Sequence, residues 1–147
     1  MNRPDRLHSI TAEQYQELQR RAQAAASHAY APYSRFYVGA AVLYSTPDAS
    51  VHIADGCNVE NASFRLTTCA EQAAIASAVC QNGPTIHILA VVIVNRDNRP
   101  CQPCGACLQT ILEFGKPDTV LVFPSEGDEP TVSTLAKILP AAFLLDL

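Results

Sequence analysis

A chain of 147 residues is long enough to bury a core without disulfide staples and short for two domains. Apolar residues make up 48% and charged residues 16%, which excludes a disordered chain and hints that part of the surface is covered by other subunits. Ten basic against fourteen acidic side chains leave a net charge of −4, so there is no cationic footprint for a nucleic-acid backbone, although a small nucleotide or one flipped base remains possible.

Thr11 reads as a helix cap, with Ile10 before it and Gln14 three residues on, and Tyr15, Leu18, Ala22 and Ala25 then recur at helical spacing. Pro32 closes that region. Residues 38–44 are apolar on both alternating faces and predict a covered strand, a turn follows at 45–50, and residues 51–57 return as an antiparallel partner. A polar stretch, 58–68, leads to a helix over 69–81 stopped by Gly83 and Pro84. Residues 86–94 form an apolar strand interrupted only by His87, and an irregular connection leads to a short helix over 106–114 that Gly115 and Pro117 stop. Residues 119–123 read as a strand and 132–138 as a last helix. The order α-β-β-α-β-α-β-α predicts a three-layer α/β/α architecture with a central mixed sheet.

Six cysteines stand at 57, 69, 80, 101, 104 and 107. The start of the chain carries no apolar signal segment and no window approaches 18 apolar residues. The expectation is therefore a reduced, soluble, cytoplasmic protein with no membrane partner. Cys104 and Cys107 make a C-x2-C pair at the start of a predicted helix, a spacing that suits one zinc ion or a thioredoxin-like redox site. Cys69 stands at the start of the preceding helix, and two helix starts joined through one strand can meet at the same end of a sheet. Three thiolates around one zinc ion leave a fourth position for water and a net charge of 2 − 3 = −1, which positive helix ends would partly offset. Glu71, two residues beyond Cys69, is placed to shuttle protons.

The same residues support plainer readings. Thr68-Cys69-Ala70-Glu71 also fits a capping box. Cys101 with Cys104 and Cys107 gives C-x2-C-x2-C, and Cys69 could complete a closed four-cysteine zinc site or hold an iron–sulfur cluster, although the C-x3-C-P extension of bacterial ferredoxins is missing. Asn58 and Glu60 lie in a loop where turn or solvent roles are the default, and an aromatic such as Phe36 beside a strand is ordinarily core.

Thr68-Cys69-Ala70-Glu71 together with Pro103-Cys104-Gly105-Ala106-Cys107 resembles the zinc-dependent cytidine deaminase pattern, H/C-x-E followed by P-C-x-x-C. Tyr33-Ser34-Arg35-Phe36-Tyr37-Val38-Gly39-Ala40-Ala41 is similar to the opening motif of the small homotetrameric members. Gly56-Cys57-Asn58-Val59-Glu60-Asn61-Ala62-Ser63-Phe64 looks like their nucleoside-binding segment, and Leu139-Pro140-Ala141-Ala142-Phe143 resembles their closing stretch.

The resemblance covers nearly the whole chain and implies one cytidine deaminase-like domain over residues 1–147. Cys69, Cys104 and Cys107 would ligate one Zn2+ per subunit, and Glu71 would shuttle protons. Phe36 would pack on the nucleoside, Asn58 and Glu60 would hydrogen-bond the ribose, and Ala70 would offer a backbone group to the pyrimidine edge. Phe64 and Phe143 would enter a neighbouring subunit's pocket in a homotetramer with shared active sites.

The implied reaction is hydrolytic deamination of cytidine and 2′-deoxycytidine. A deaminase of modified cytosine nucleosides or nucleoside antibiotics is the nearest alternative, and a structural protein built on four cysteines is the alternative from another class. Two positions depart from the family pattern. Gln72 stands where the small enzymes commonly carry an arginine that eases the thiolate charge, which predicts either a less acidic water at the metal or a substitute cation from Arg65, Arg96 or Arg99. Cys101 stands where the family usually has a non-ligand residue.

Overall fold

The structure is a computed structural model that describes residues 10–145. The two ends of the expected 1–147 domain, and with them the start of the chain read for a signal segment, lie outside the described residues. Helix α1 (Ala12–Ser27) begins with the expected cap: the Thr11 hydroxyl accepts the Gln14 N–H at 3.1 Å, and the Gln14 side chain accepts the Thr11 N–H at 2.8 Å. Its buried face is Leu18, Ala22, Ala25 and Ala26.

Strands β1 (Val38–Ser45) and β2 (Val51–Cys57) pair antiparallel as the sequence predicts. After α2 (Ala70–Asn82) comes β3 (His87–Asn95), which lies antiparallel on the other side of β1. Helix α3 (Gly105–Phe114) then returns the chain to β4 (Val120–Phe123), which runs parallel to β3. A parallel neighbour requires such a crossover. The sheet is mixed, with the order β2-β1-β3-β4 and one further strand beyond β4.

That further strand corrects the expected last helix. Thr131–Thr134 is β5, antiparallel to β4 with Val132 opposite Val122, and only Leu135–Ile138 is helical (α4). Thr-Val-Ser-Thr suits a half-covered edge, and its ladder bonds to β4 outweigh the weak helix preference of the β-branched residues. The Leu135 N–H reaches the Thr119 carbonyl at 2.9 Å and ends the ladder.

Alternation along β1 divides the core. Ala41 and Leu43 pack with Leu18 and Ala22 of α1, while Val38, Ala40, Val42 and Tyr44 pack with α2 and α3 on the opposite face. The expected three-layer α/β/α fold is the one observed. Ladder register slips between Leu43 opposite Ala90 and Tyr44 opposite Ile88, so Leu89 is an extra, bulged residue. Two glycines set the layer spacing. A Cβ at Gly39 would strike the Ala22 carbonyl oxygen of α1, and one at Gly56 would strike the Ala74 nitrogen of α2. Gly56 thus fixes how closely α2 lies on the sheet, and the start of α2 carries the chemistry. Among the described residues, no helix is long and apolar enough to cross a membrane.

Candidate metal and substrate site

Cys69 is the N-cap residue of α2 and Cys104 the N-cap residue of α3, while Cys107 lies in the first turn of α3. Neither cap side chain bonds to its own helix, so both sulfurs are left for another partner. The three sulfurs lie within 4.8 Å of one another, and this is the one metal-capable group of three found among the described residues. Zinc with Zn–S bonds of about 2.3 Å needs tetrahedral sulfurs roughly 3.8 Å apart, so the donor set fits with small side-chain adjustments. Two helix starts aimed at the cluster favour its negative charge.

The segment entering α2 is pinned before it turns. The Val59 and Thr68 backbones exchange two hydrogen bonds of 3.0 Å, and Tyr30 bridges to the other side of Val59. This miniature ladder ties the loop carrying Asn58 and Glu60 to the residue before Cys69.

Glu71 is the second residue of α2 and only 5% exposed. Burial pushes its carboxyl above the usual carboxylate range, with hydrogen bonds from its backbone and from Cys107 opposing that shift. Because the cap is Cys69, not Thr68, the capping-box reading of Glu71 does not hold. Hydrogen bonds from Cys107, and to a smaller extent Cys104, bring the Cys69 thiol down to about 7 against burial and the Glu71 charge. Cys107 shifts upward, chiefly because it donates to Cys69.

Cys101 is not a member of the sulfur group. It is buried in the apolar core against α3, its N–H donates to the Pro124 carbonyl at 2.9 Å, and burial pushes its thiol up to about 12. The closed four-cysteine alternative and the cluster alternative therefore lose their fourth ligand. All six cysteines are free.

Around the cluster, Ala70 is fully buried at the first position of α2. Asn58 is buried, its Oδ1 accepting the Val38 N–H at 2.9 Å and its Nδ2 donating to the Phe36 carbonyl at 2.7 Å. One N–H and one lone pair of that amide stay available. Glu60 Oε2 accepts the N–H groups of Tyr33 and Ser34 at 2.9 and 3.2 Å, and hydrogen bonding from Ser34 leads in lowering its pKa. Phe36 packs at the edge of the α2/α3 core. Phe64, on the 3-10 turn Phe64–Leu66, is 74% exposed, with its ring centroid 5.8 Å from that of Tyr33. Phe143 is 71% exposed, and its carbonyl accepts the Gln109 side chain of α3 at 2.9 Å.

The three arginines considered as substitute cations are engaged or placed elsewhere. Arg96 pairs with Asp97 and stacks 3.5 Å over the Tyr37 ring, Arg99 stacks over Phe36, and Arg65 is exposed on the 3-10 turn. Among the described residues no hydrogen bond joins an arginine to a cysteine sulfur, so Gln72 has no such replacement. The stacking of Arg99 was not legible in the sequence; the one signal for it is Asn95, a turn-forming residue at the end of a strand. A cavity of about 670 Å³ lies on the α1 face at the same end of β3, lined by Tyr15, Gln19, Asn95, Val122 and Glu129 among others, and includes none of the expected site residues.

Residues 12–123 match the family model described as the cytidine and deoxycytidylate deaminase zinc-binding region. The chain is 39% identical over 119 residues to the cytidine deaminase of Sporosarcina psychrophila, covering 81% of this chain and 83% of that one. It is 38% identical over 122 residues to the cytidine deaminase of Mycobacterium tuberculosis, covering 83% and 84%. Among solved structures, the M. tuberculosis enzyme superposes with a TM-score of 0.73 at 37% identity, covering 89% of this chain and 98% of that one. The Burkholderia pseudomallei cytidine deaminase superposes with a TM-score of 0.71 at 38% identity, covering 91% and 100%.

Proposed function

The chain belongs to the cytidine and deoxycytidylate deaminase zinc-binding family, and from that membership we propose that it hydrolyses cytidine and 2′-deoxycytidine to uridine, 2′-deoxyuridine and ammonia. The observation that carries the reading is the gathering of Cys69, Cys104 and Cys107 sulfurs within 4.8 Å. Cys69, Cys104 and Cys107 would hold one zinc ion per chain, which when bound would supply an acidified water as nucleophile. Glu71 would move one proton of the water to N3 of the ring, which makes C4 electrophilic. As the water oxygen bonds to C4, Glu71 would move its second proton to the amino group, so that the C4–N bond breaks and ammonia leaves. A carboxyl whose proton affinity burial has raised suits both halves of that task.

Phe36 packs against the base, Ala70 meets the pyrimidine edge through its backbone, and Asn58 and Glu60 bond the sugar hydroxyls. The free half of the Asn58 amide supports this, as does the hold of Tyr33 and Ser34 on one Glu60 oxygen, which orients the carboxylate. A carboxylate beside the sugar disfavours a 5′-phosphate, so free nucleosides are the substrates.

The whole chain acts as one deaminase-like domain, residues 1–147, in a homotetramer whose subunits share active sites. Exposed Tyr33, Phe64, Leu66, Phe143 and Leu144 support a covered apolar surface. Six free cysteines suit a cytoplasmic location.

The test is ammonia release from cytidine, deoxycytidine, cytosine and CMP. Turnover of the two nucleosides with little of the base or nucleotide is expected. Zinc-loaded, folded protein that leaves all four untouched would overturn the reading.

A further inference from the structure

Phe36 is held more tightly than packing alone requires. Its N–H donates to the Ser34 hydroxyl at 3.0 Å and its carbonyl accepts Asn58 Nδ2 at 2.7 Å. The residue before it, Arg35, sits at a φ of 55°, a left-handed conformation that a bulky residue adopts only when its surroundings impose it. This places the ring at a sharp turn with both of its backbone polar groups engaged.

The ring itself is covered from a different part of the chain. The Arg99 guanidinium carbon lies 4.6 Å from the Phe36 ring centroid, and Arg99 Nη1 reaches the Arg35 carbonyl at 3.5 Å. Arg99 has no carboxylate partner among the described residues. Its position follows from Asn95, whose buried side-chain oxygen accepts the N–H groups of Asp97 at 2.9 Å and Arg99 at 3.2 Å. The Arg96 N–H bonds the Tyr37 carbonyl at 2.9 Å, which moors the same loop to the segment before β1. One turn after β3 therefore carries a cation to the face of the aromatic ring assigned above to the base.

We propose that Arg99 is a positioning residue for the nucleoside: by covering one face of Phe36 it fixes the angle at which that ring meets the pyrimidine. The inference rests on the reading of Phe36 as the base-packing residue. Among the described residues no hydrogen bond or ion pair joins Arg99 to a cysteine or to Glu71, so its role lies in binding and not in proton transfer. A cation over a partly exposed ring is worth a few-fold in an equilibrium constant.

The experiment compares Arg99→Met and Arg99→Lys with the parent protein, alone and combined with Phe36→Leu. Because Arg99 is exposed, Arg99→Met and Arg99→Lys keep the fold. Arg99→Met raises KM for cytidine and deoxycytidine about 2- to 5-fold, leaves kcat within about twofold and leaves zinc content unchanged, while Arg99→Lys recovers part of the loss. In the Phe36→Leu background, Arg99→Met has no further effect on KM.

A second readout needs no turnover. With fluorinated phenylalanine at the five Phe positions, the resonance that Phe36→Leu removes shifts in Arg99→Met while the other four stay in place. A Phe36 resonance unmoved by Arg99→Met, or a KM effect that persists without Phe36, overturns the proposal. A parent protein that turns over no nucleoside while its Phe36 resonance follows Arg99 overturns the functional reading and leaves the contact standing.

Discussion

The cysteine cluster and the aromatic surface beside it are built in opposite ways. The sulfurs stand on the first turns of α2 and α3, two helices pressed onto the sheet, and Cys107 and Glu71 are buried within one chain. Phe64 and Phe143 stand on a 3-10 turn and on the segment after α4, both largely exposed, and Phe143 is tethered by a hydrogen bond from Gln109. Rigid elements position a reaction to fractions of an ångström, whereas exposed loops close around a ligand only when something covers them. One chain thus gathers the three sulfurs by itself with Glu71 buried at the start of α2, while Phe64 and Phe143 are left exposed to solvent.

The strongest way to break that contrast is to remove a ligand. Cys107→Ser takes away the buried sulfur of the three; zinc measured by atomic absorption falls from one per chain to near zero, and deamination falls to background. Cys101→Ser, one turn away in sequence but outside the sulfur group, leaves zinc content unchanged.

Glu71→Gln separates proton transfer from metal binding: kcat falls by roughly 10²- to 10⁴-fold while zinc is retained. The same substitution has a signature in stability. Burial raises the Glu71 pKa in the folded state, so the carboxyl costs nothing while it is protonated and destabilises the fold as pH rises above the ordinary carboxylate range. In metal-free protein, Glu71→Gln therefore raises the urea midpoint at pH 7 and leaves it near the parent value at pH 3. A parent and variant that coincide at both pH values would remove the buried-carboxylate account.

The aromatic region responds differently. If a second copy covers Phe64 and Phe143, specific activity of the parent falls on dilution in step with the sedimentation coefficient. Phe143→Ala weakens association and activity together by about tenfold, the effect of truncating one interface aromatic, while zinc stays at one per chain. Activity that is constant across a dilution series through which the protein dissociates would show that each chain closes its own pocket.

The sequence already displays the cap of α1 at Thr11, the hairpin strands and the C-x2-C pair, because capping chemistry, alternation and ligand spacing are local signals. Legibility fails where pairing is decided by distant partners. β5 has four residues and exists through its ladder to β4, so its last three residues, 132–134, next to a helical Leu135–Ile138 read locally as one helix. The cover of Arg99 on Phe36 joins residues from two loops and depends on how Asn95 turns the chain after β3. Gln72 was visible as a departure, but only the fold shows that Arg96 and Arg99 are occupied by aromatic rings, away from the sulfurs.

The smallest expected effect lies farthest from both regions, in the turn between β1 and β2. Asp48 accepts hydrogen bonds from the Thr46 hydroxyl at 2.5 Å, the Ser50 N–H at 3.1 Å and the Ser50 hydroxyl at 2.9 Å, and these bring its pKa from 3.8 to about 2. A depressed folded-state pKa adds stability that is fully present above the unfolded value and is lost as pH falls through the folded one. The stability difference between the parent and Asp48→Ala is therefore small and constant above about pH 5, and it shrinks between pH 4 and pH 2. Because the turn reaches neither the cysteines nor Phe36, kcat and KM stay at parent values. A change in either constant would mean that the β1–β2 hairpin bears on the site through the strand that carries Gly56, and the separation between framework and chemical centre would have to be redrawn.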